Sequence, residues 1–155
     1  MNPASEAVGL LLARGQTLAV AESLTGGLVA ATIVEIPGVS AVFRGGLVVY
    51  ATELKSALAG VPEELLAERG PVDGDVAQAL AEGARNRCGA GWGLATTGVA
   101  GPEPQDGKPV GMVFAGVAGP TSSAVRQFSL SGSRAGIRSG AVRAALALLA
   151  DELRK

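Results

Sequence analysis

The chain contains no histidine. That absence removes the Ser-His-Asp and Cys-His arrangements, in which the nucleophile hands its proton to an imidazole. There is a single cysteine, Cys88, so no internal disulfide can form. Zinc is held mainly by cysteine and histidine, and scattered carboxylates with one thiol are a poor substitute. Aromatic residues are scarce, at one Trp, one Tyr and three Phe. The core therefore has to be built from Ala, Val, Leu and Ile. No run approaches the ~20 apolar residues that cross a bilayer, so no membrane association is expected. Positive charge is not in excess either, with 13 Lys and Arg against 14 Asp and Glu. Nucleic-acid binding, which draws on a basic surface to displace counterions, is not expected. A small anion held by two or three arginines remains compatible with these counts.

What is present describes an ordinary globular domain. The chain has 155 residues, 48% of them apolar, enough for one domain over residues 1–155 with a real core. The start, MNPASEAVGLLLARGQ, has no basic segment and only a short apolar stretch. With the lone cysteine it points to the cytoplasm. Asn2-Pro3 followed by Ala4, Ala7, Val8, Leu11 and Leu12 at 3.6-residue spacing predicts a helix that Gly15 ends. Thr17–Ala21 reads as a short buried strand, Gly26–Ile36 as a helix stopped by Pro37-Gly38, and Gly46–Ala51 as a second strand. Thr52 is a candidate N-cap for a short helix, Glu53–Ala59. Further helices are expected at Pro62–Glu68 and, capped by Asp73, through about Arg87. Trp92–Thr97 is a third strand. Val110–Val117 and Ser123–Leu130 form an antiparallel hairpin around Gly119-Pro120, and a last helix runs Arg134–Leu153. Alternating strands and helices give a three-layer α/β/α domain with a mixed, mostly parallel sheet ending in that hairpin.

In such sheets ligands gather beyond the carboxyl ends of the parallel strands. Three segments belong there: Glu22–Gly27, Tyr50–Lys55 and Thr97–Gly101. Ser23 follows a strand and precedes a glycine pair that opens a helix. It is either a nucleophile at a tight turn or a simple helix cap. The amides near Thr25, Gly26 and Gly27 would face whatever binds beside it. Without histidine, a nucleophilic serine needs lysine, a carboxylate or tyrosine as base. Of three lysines, Lys155 is terminal and Lys108 lies in a Gly/Pro loop. Lys55 follows a strand where a pocket is expected, and its neighbours Leu54, Ala57 and Leu58 offer desolvation. It is otherwise a solvated helix lysine. Tyr50 is positioned to orient that pair, relay a proton or stack on a ring, or is a rim residue of the core. TTGVAGP (96–102) lets a ligand approach the backbone closely. It is neither a P-loop nor a dinucleotide fingerprint. Arg134 and Arg138, one turn apart, share a face that could fork onto a phosphate or simply be solvated.

Taken together, AESLTGG (21–27), PGVSAVFRGGLVVYATELK (37–55), LAGVP (58–62), TTGVAGP (96–102), KPVG (108–111) and the arginine-bearing last helix resemble the CinA C-terminal domain family over nearly the whole chain. That family includes stand-alone nicotinamide mononucleotide (NMN) deamidases. The resemblance implies an α/β/α fold and hydrolysis of NMN to nicotinic acid mononucleotide and ammonia. It also implies a homo-oligomer and no metal or organic cofactor. It places the catalytic serine at Ser23, the lysine at Lys55 and the tyrosine at Tyr50. The nucleotide would be held by Thr25, Gly26, Gly27, Gly46, Thr52, Thr97, Gly98, Ala100, Gly101, Arg134 and Arg138. Three departures stand out: Thr52 where the family usually has Asn, Leu24 where Cys is common, and Ser133 in place of an aspartate. The larger family protein carries an additional N-terminal domain. The expected mechanism has neutral Lys55 take the Ser23 proton, with the Gly26-Gly27 amides receiving the oxyanion. The rival expectation is a nucleotide-binding or partner-binding module that keeps the pocket without turnover.

Overall fold

Asn2 accepts a hydrogen bond from the Ser5 amide at 2.8 Å, and the first helix starts there. The computed structural model describes residues 2–155. Helix α1 (Pro3–Arg14) buries Ala4, Ala7, Val8 and Leu11 and stops at Gly15, whose φ of 62° suits a residue without a Cβ. Then follow β1 (Leu18–Glu22), α2 (Leu28–Ile33), a 3₁₀ turn (Val39–Ala41), β2 (Phe43–Val48), α3 (Thr52–Ala57), α4 (Glu63–Arg69) and α5 (Gly74–Arg87). The chain ends in β3 (Trp92–Gly98), β4 (Met112–Ala118), β5 (Ser123–Ser129) and α6 (Arg134–Leu153).

The sheet order is β2-β1-β3-β4-β5. β1 pairs in parallel with β2 and β3, whereas β3–β4 and β4–β5 are antiparallel. Every residue of β1 is buried, and its side chains sort by period two. Leu18 and Val20 face a core shared with α1, α2 and α6, while Ala19 and Ala21 face α5. The α5 side is packed at backbone contact. A Cβ at Gly93 would lie 1.9 Å from the Ala81 carbonyl oxygen, and one at Gly116 would lie 2.5 Å from that of Ala77. Helix and sheet meet there without large side chains, which is how a core poor in aromatics reaches native density.

Register decides where the site lies. Glu22, Val48 and Thr96 stand abreast at the carboxyl ends of the three parallel strands. The ladder runs one step further, from the Ser23 amide to Thr96 O at 3.1 Å and from the Val49 amide to Glu22 O at 2.9 Å. Ser23 and Val49 are thereby fixed beside one another.

Three of the boundaries that differ from expectation bear on the site. The second strand covers Phe43–Val48 rather than Gly46–Ala51, because Val49 and Tyr50 turn away and give their carbonyls to Lys55. Helix α2 starts at Leu28 and ends at Ile33 rather than spanning Gly26–Ile36, since Gly26 and Gly27 sit at φ 56° and 105°, outside the helical region. Thr52 is the first helical residue of α3, and Ala51 occupies the cap position.

Candidate active site

Ser23 Oγ and Lys55 Nζ are 3.1 Å apart. The lysine reaches the serine from α3, across the end of the β1–β2 pair. Its Nζ also donates to the carbonyls of Val49 at 2.8 Å and Tyr50 at 3.2 Å. A charged ammonium would fill all three directions with these acceptors. A neutral amine has two N–H bonds for the two carbonyls and one lone pair, which then points at Ser23. The geometry thus suits a base whose target is the serine proton.

Lys55 is 1% exposed, the largest of the fully buried side chains. Burial pulls its pKa down from 10.5 to about 8, against a smaller upward pull from Glu53. A neutral fraction of roughly a tenth at pH 7 follows, far above that of a solvated lysine. The source of desolvation differs from the sequence expectation. Leu54 and Leu58 are exposed on the outer side of α3, and Lys55 is buried because it turns the opposite way, into the strand ends.

The turn carrying Ser23 is held from below by a carboxylate. Glu22, 1% exposed, accepts from Thr25 Oγ1 at 2.6 Å and from the amides of Gly27, Val29 and Ala30 at 3.2, 2.9 and 2.9 Å. It satisfies the amides that open α2, and the helix dipole there favours its charge. Thr25 is fully buried and also pairs with Thr96 Oγ1 at 2.8 Å, so it braces the turn rather than facing a ligand. Arg138 holds the turn from above, donating to the carbonyls of Leu24 at 2.9 Å and Thr25 at 3.1 Å.

Two expectations are corrected here. The Gly27 amide is taken by Glu22 and the Gly26 amide by Ser23 O at 3.0 Å, so neither is left for an oxyanion. Arg134 and Arg138 do not act as a pair. Arg138 clamps the nucleophile turn, whereas exposed Arg134 lines the cleft and donates to Gly101 O and to the Tyr50 hydroxyl at 2.9 Å.

The cleft itself has a volume of about 300 Å³. Ser23, Leu24 and Lys55 form one wall, and Gly98, Ala100 and Gly101 another. Tyr50, Glu103, Gln105 and Arg134 belong to the lining too, and all four are exposed. Tyr50 is 56% exposed. Its hydroxyl meets Arg134 and not the Ser–Lys pair, while its backbone carbonyl orients the lysine. The other expected nucleotide contacts lie outside the lining. Thr97 donates to Pro71 O at 2.6 Å and anchors the segment after α4. Gly46 makes room for Val20, since a Cβ there would stand 2.7 Å from Val20 Cγ2. Thr52 makes no side-chain hydrogen bond among the described residues. Ser133 accepts from the Gly136 amide at 3.1 Å and caps α6, a role an aspartate fills equally well.

Two side chains at the site were not among the expected site residues: Glu22, inside the AESLTGG motif, and Glu103, in the cleft lining. The signals for Glu22 are its place in that motif and a carboxylate closing a strand that is otherwise aliphatic. Glu103 sits in a Gly/Pro loop whose fold determines where it points.

Residues 2–153 match the family model of the CinA C-terminal domain. The chain belongs to that family. A CinA-like protein of Frankia casuarinae is 54% identical over 142 residues, covering 92% of this chain and 33% of the relative. A CinA-like protein of Gloeobacter violaceus is 44% identical over 153 residues, covering 97% and 36%. The CinA-family domain described here thus spans about a third of the length of these curated relatives. Crystal structures extend the match to nearly whole chains. The competence-damaged protein (CinA) superfamily protein of Klebsiella pneumoniae 700603 superposes with a TM-score of 0.94 at 30% identity, covering 98% of this chain and 96% of that one. The competence/damage inducible protein CihA of Agrobacterium tumefaciens gives 0.90 at 32%, covering 100% and 98%.

Proposed function

We propose that this CinA-family domain is an amidohydrolase that converts NMN to nicotinic acid mononucleotide and ammonia through Ser23 and Lys55. The observation that carries the reading is the buried amine 3.1 Å from the serine hydroxyl, with its other two directions held by carbonyls. Neutral Lys55 takes the Ser23 proton as Oγ attacks the carboxamide carbon. The tetrahedral intermediate collapses, the C–N bond breaks, and Lys55 returns the proton to the departing ammonia. A water then attacks the acyl-enzyme, again losing its proton to Lys55, and Ser23 leaves with that proton. Tyr50 Oη is engaged by Arg134, which leaves Lys55 as the acid for the leaving group. Arg134, at the cleft mouth, supplies the positive charge for the nucleotide phosphate, and remote binding of this kind holds the amide against Ser23. No step calls for a metal or an organic cofactor. The same reading takes the protein to be a cytoplasmic homo-oligomer.

The test is ammonia release from NMN by the purified protein and by Ser23→Ala and Lys55→Ala. Each variant is expected to lose ~10²–10⁴ in rate. A loss below about tenfold in either contradicts a Ser/Lys hydrolase. One observation favours a binding module as the second reading: Thr52, where the family resemblance leads one to expect Asn, makes no side-chain hydrogen bond among the described residues. NMN that raises the melting temperature without releasing ammonia would decide for that reading.

A further inference from the structure

Buried main-chain amides almost always have a partner, so each exception asks for one. Four amides of the cleft lining are such exceptions among the described residues, one of them that of Val72 in the segment after α4. The other three, those of Leu24, Ala100 and Gly101, meet no acceptor within the protein among the described residues, although all three residues are buried. They come from two walls. Leu24 directly follows Ser23. Ala100 and Gly101 follow β3, whose Thr96 carbonyl receives the Ser23 amide. Of the neighbouring amides, Gly26 is engaged by Ser23 O at 3.0 Å, Gly27 by Glu22 at 3.2 Å and Val99 by Met112 O at 2.9 Å, while that of Thr25, a residue outside the cleft lining, has no acceptor among the described residues. Both free sets are also held in place. Arg138 fixes the carbonyls of Leu24 and Thr25, and Arg134 fixes that of Gly101.

We propose that the Leu24 amide, with the amides of the Ala100-Gly101 stretch, forms the oxyanion hole of this site, in place of the α2 start. The inference rests on the Ser23 amidase reading. When Ser23 Oγ bonds to the carboxamide carbon, the carbonyl π pair moves onto oxygen, and these N–H groups receive that charge. When the C–N bond breaks, the pair returns to re-form the carbonyl. The arrangement follows a general logic of serine hydrolases: the residue after the nucleophile gives one donor, and a neighbouring loop gives the other. Fixed donors in a site shielded from water need no reorganisation as charge develops.

Side-chain substitution cannot remove a backbone N–H, but an ester can. Replacing Leu24, Ala100 or Gly101 by its α-hydroxy acid, through semisynthesis or nonsense suppression, swaps one N–H for oxygen and keeps the side chain. The same change at exposed Gly107 serves as control. The assay is ammonia release from NMN, resolved into kcat and KM, with the melting temperature of each ester protein. The Leu24 ester and at least one of the two loop esters are expected to lower kcat by ~10²–10³ with little change in KM. The control should leave kcat unchanged. A kcat within about threefold of the unmodified protein at Leu24, or at both loop positions, overturns the proposal. So does a rise in KM alone, which would assign these amides to the phosphate. If the unmodified protein releases no ammonia, the amidase reading itself fails and this assignment falls with it.

Discussion

The two sides of the cleft are built differently. The floor, from Glu22 to Thr25 with Lys55, is buried and cross-braced. Glu22 takes four hydrogen bonds, Arg138 ties two carbonyls, and the Lys55 nitrogen is held by three partners. The rim, made of Tyr50, Glu103, Gln105 and Arg134, is exposed and joined by few contacts. On the proposed amidase reading, chemistry that depends on tenths of an ångström is on the floor, and groups that greet a ligand are on the rim. Rate should therefore answer to floor residues, and affinity to rim residues.

The sharpest way to break this division is Lys55→Met. It should lower kcat by ~10²–10⁴ while the fold persists, as shown by an unchanged circular dichroism spectrum. In the unaltered protein kcat/KM for NMN should rise with pH and level off above about 8, the value to which burial lowers Lys55. Stability carries the same signature. Between about 8 and 10.5 the unfolded chain holds the Lys55 proton and the folded chain does not. Unfolding free energy should then rise with pH across that window, by up to ~1.4 kcal/mol per unit. Denaturant titrations of Lys55→Met should lack this rise, and an unchanged slope would contradict the lowered pKa.

Next in size is Glu22→Ala. It strips the carboxylate from three amides and a buried hydroxyl, and should destabilise the protein by roughly 2–4 kcal/mol. Because the Ser23 turn loosens, kcat should fall with it. Glu22→Gln, which keeps one acceptor oxygen, should recover part of both. Unfolding midpoints in urea, measured beside turnover, check this. On the rim, Arg134→Ala should raise KM for NMN about tenfold, the effect of one charge-assisted hydrogen bond, with stability within ~0.5 kcal/mol. A large loss of kcat there would erase the distinction between the two sides. Smallest of all, Thr52→Asn should change kcat and KM by less than about threefold, because Thr52 lies outside the cleft lining.

Much of this was legible in the amino-acid order because the signals were local. Asn2-Pro3 and Gly15 bound α1, Asp73 caps α5, and the apolar period of Arg134–Leu153 matches α6. The absence of histidine narrowed the choice of base, and the family resemblance assigned the pairing of Ser23 with Lys55. The rest was lost to tertiary effects. No local rule shows that Glu22 will capture the first amides of α2, which shortened that helix and closed the Gly26-Gly27 oxyanion site. Helical spacing puts Arg134 and Arg138 on one face, but that face crosses two different walls. Thr25, Thr97 and Gly46 fell in the right segments and turned inward to brace strands, a choice made by packing rather than by motif.

The three-cornered seat of the lysine nitrogen has one more consequence. The carbonyls of Val49 and Tyr50 can only accept, so protons reach or leave the amine by a single door that opens on the serine and the cleft. On the amidase reading, a nucleotide filling that cleft would cut the amine off from bulk buffer. External acidity then governs whether a productive complex starts, and has little hold on a turnover already under way. An acid limb confined to kcat/KM and absent from kcat is the kinetic form of this isolation.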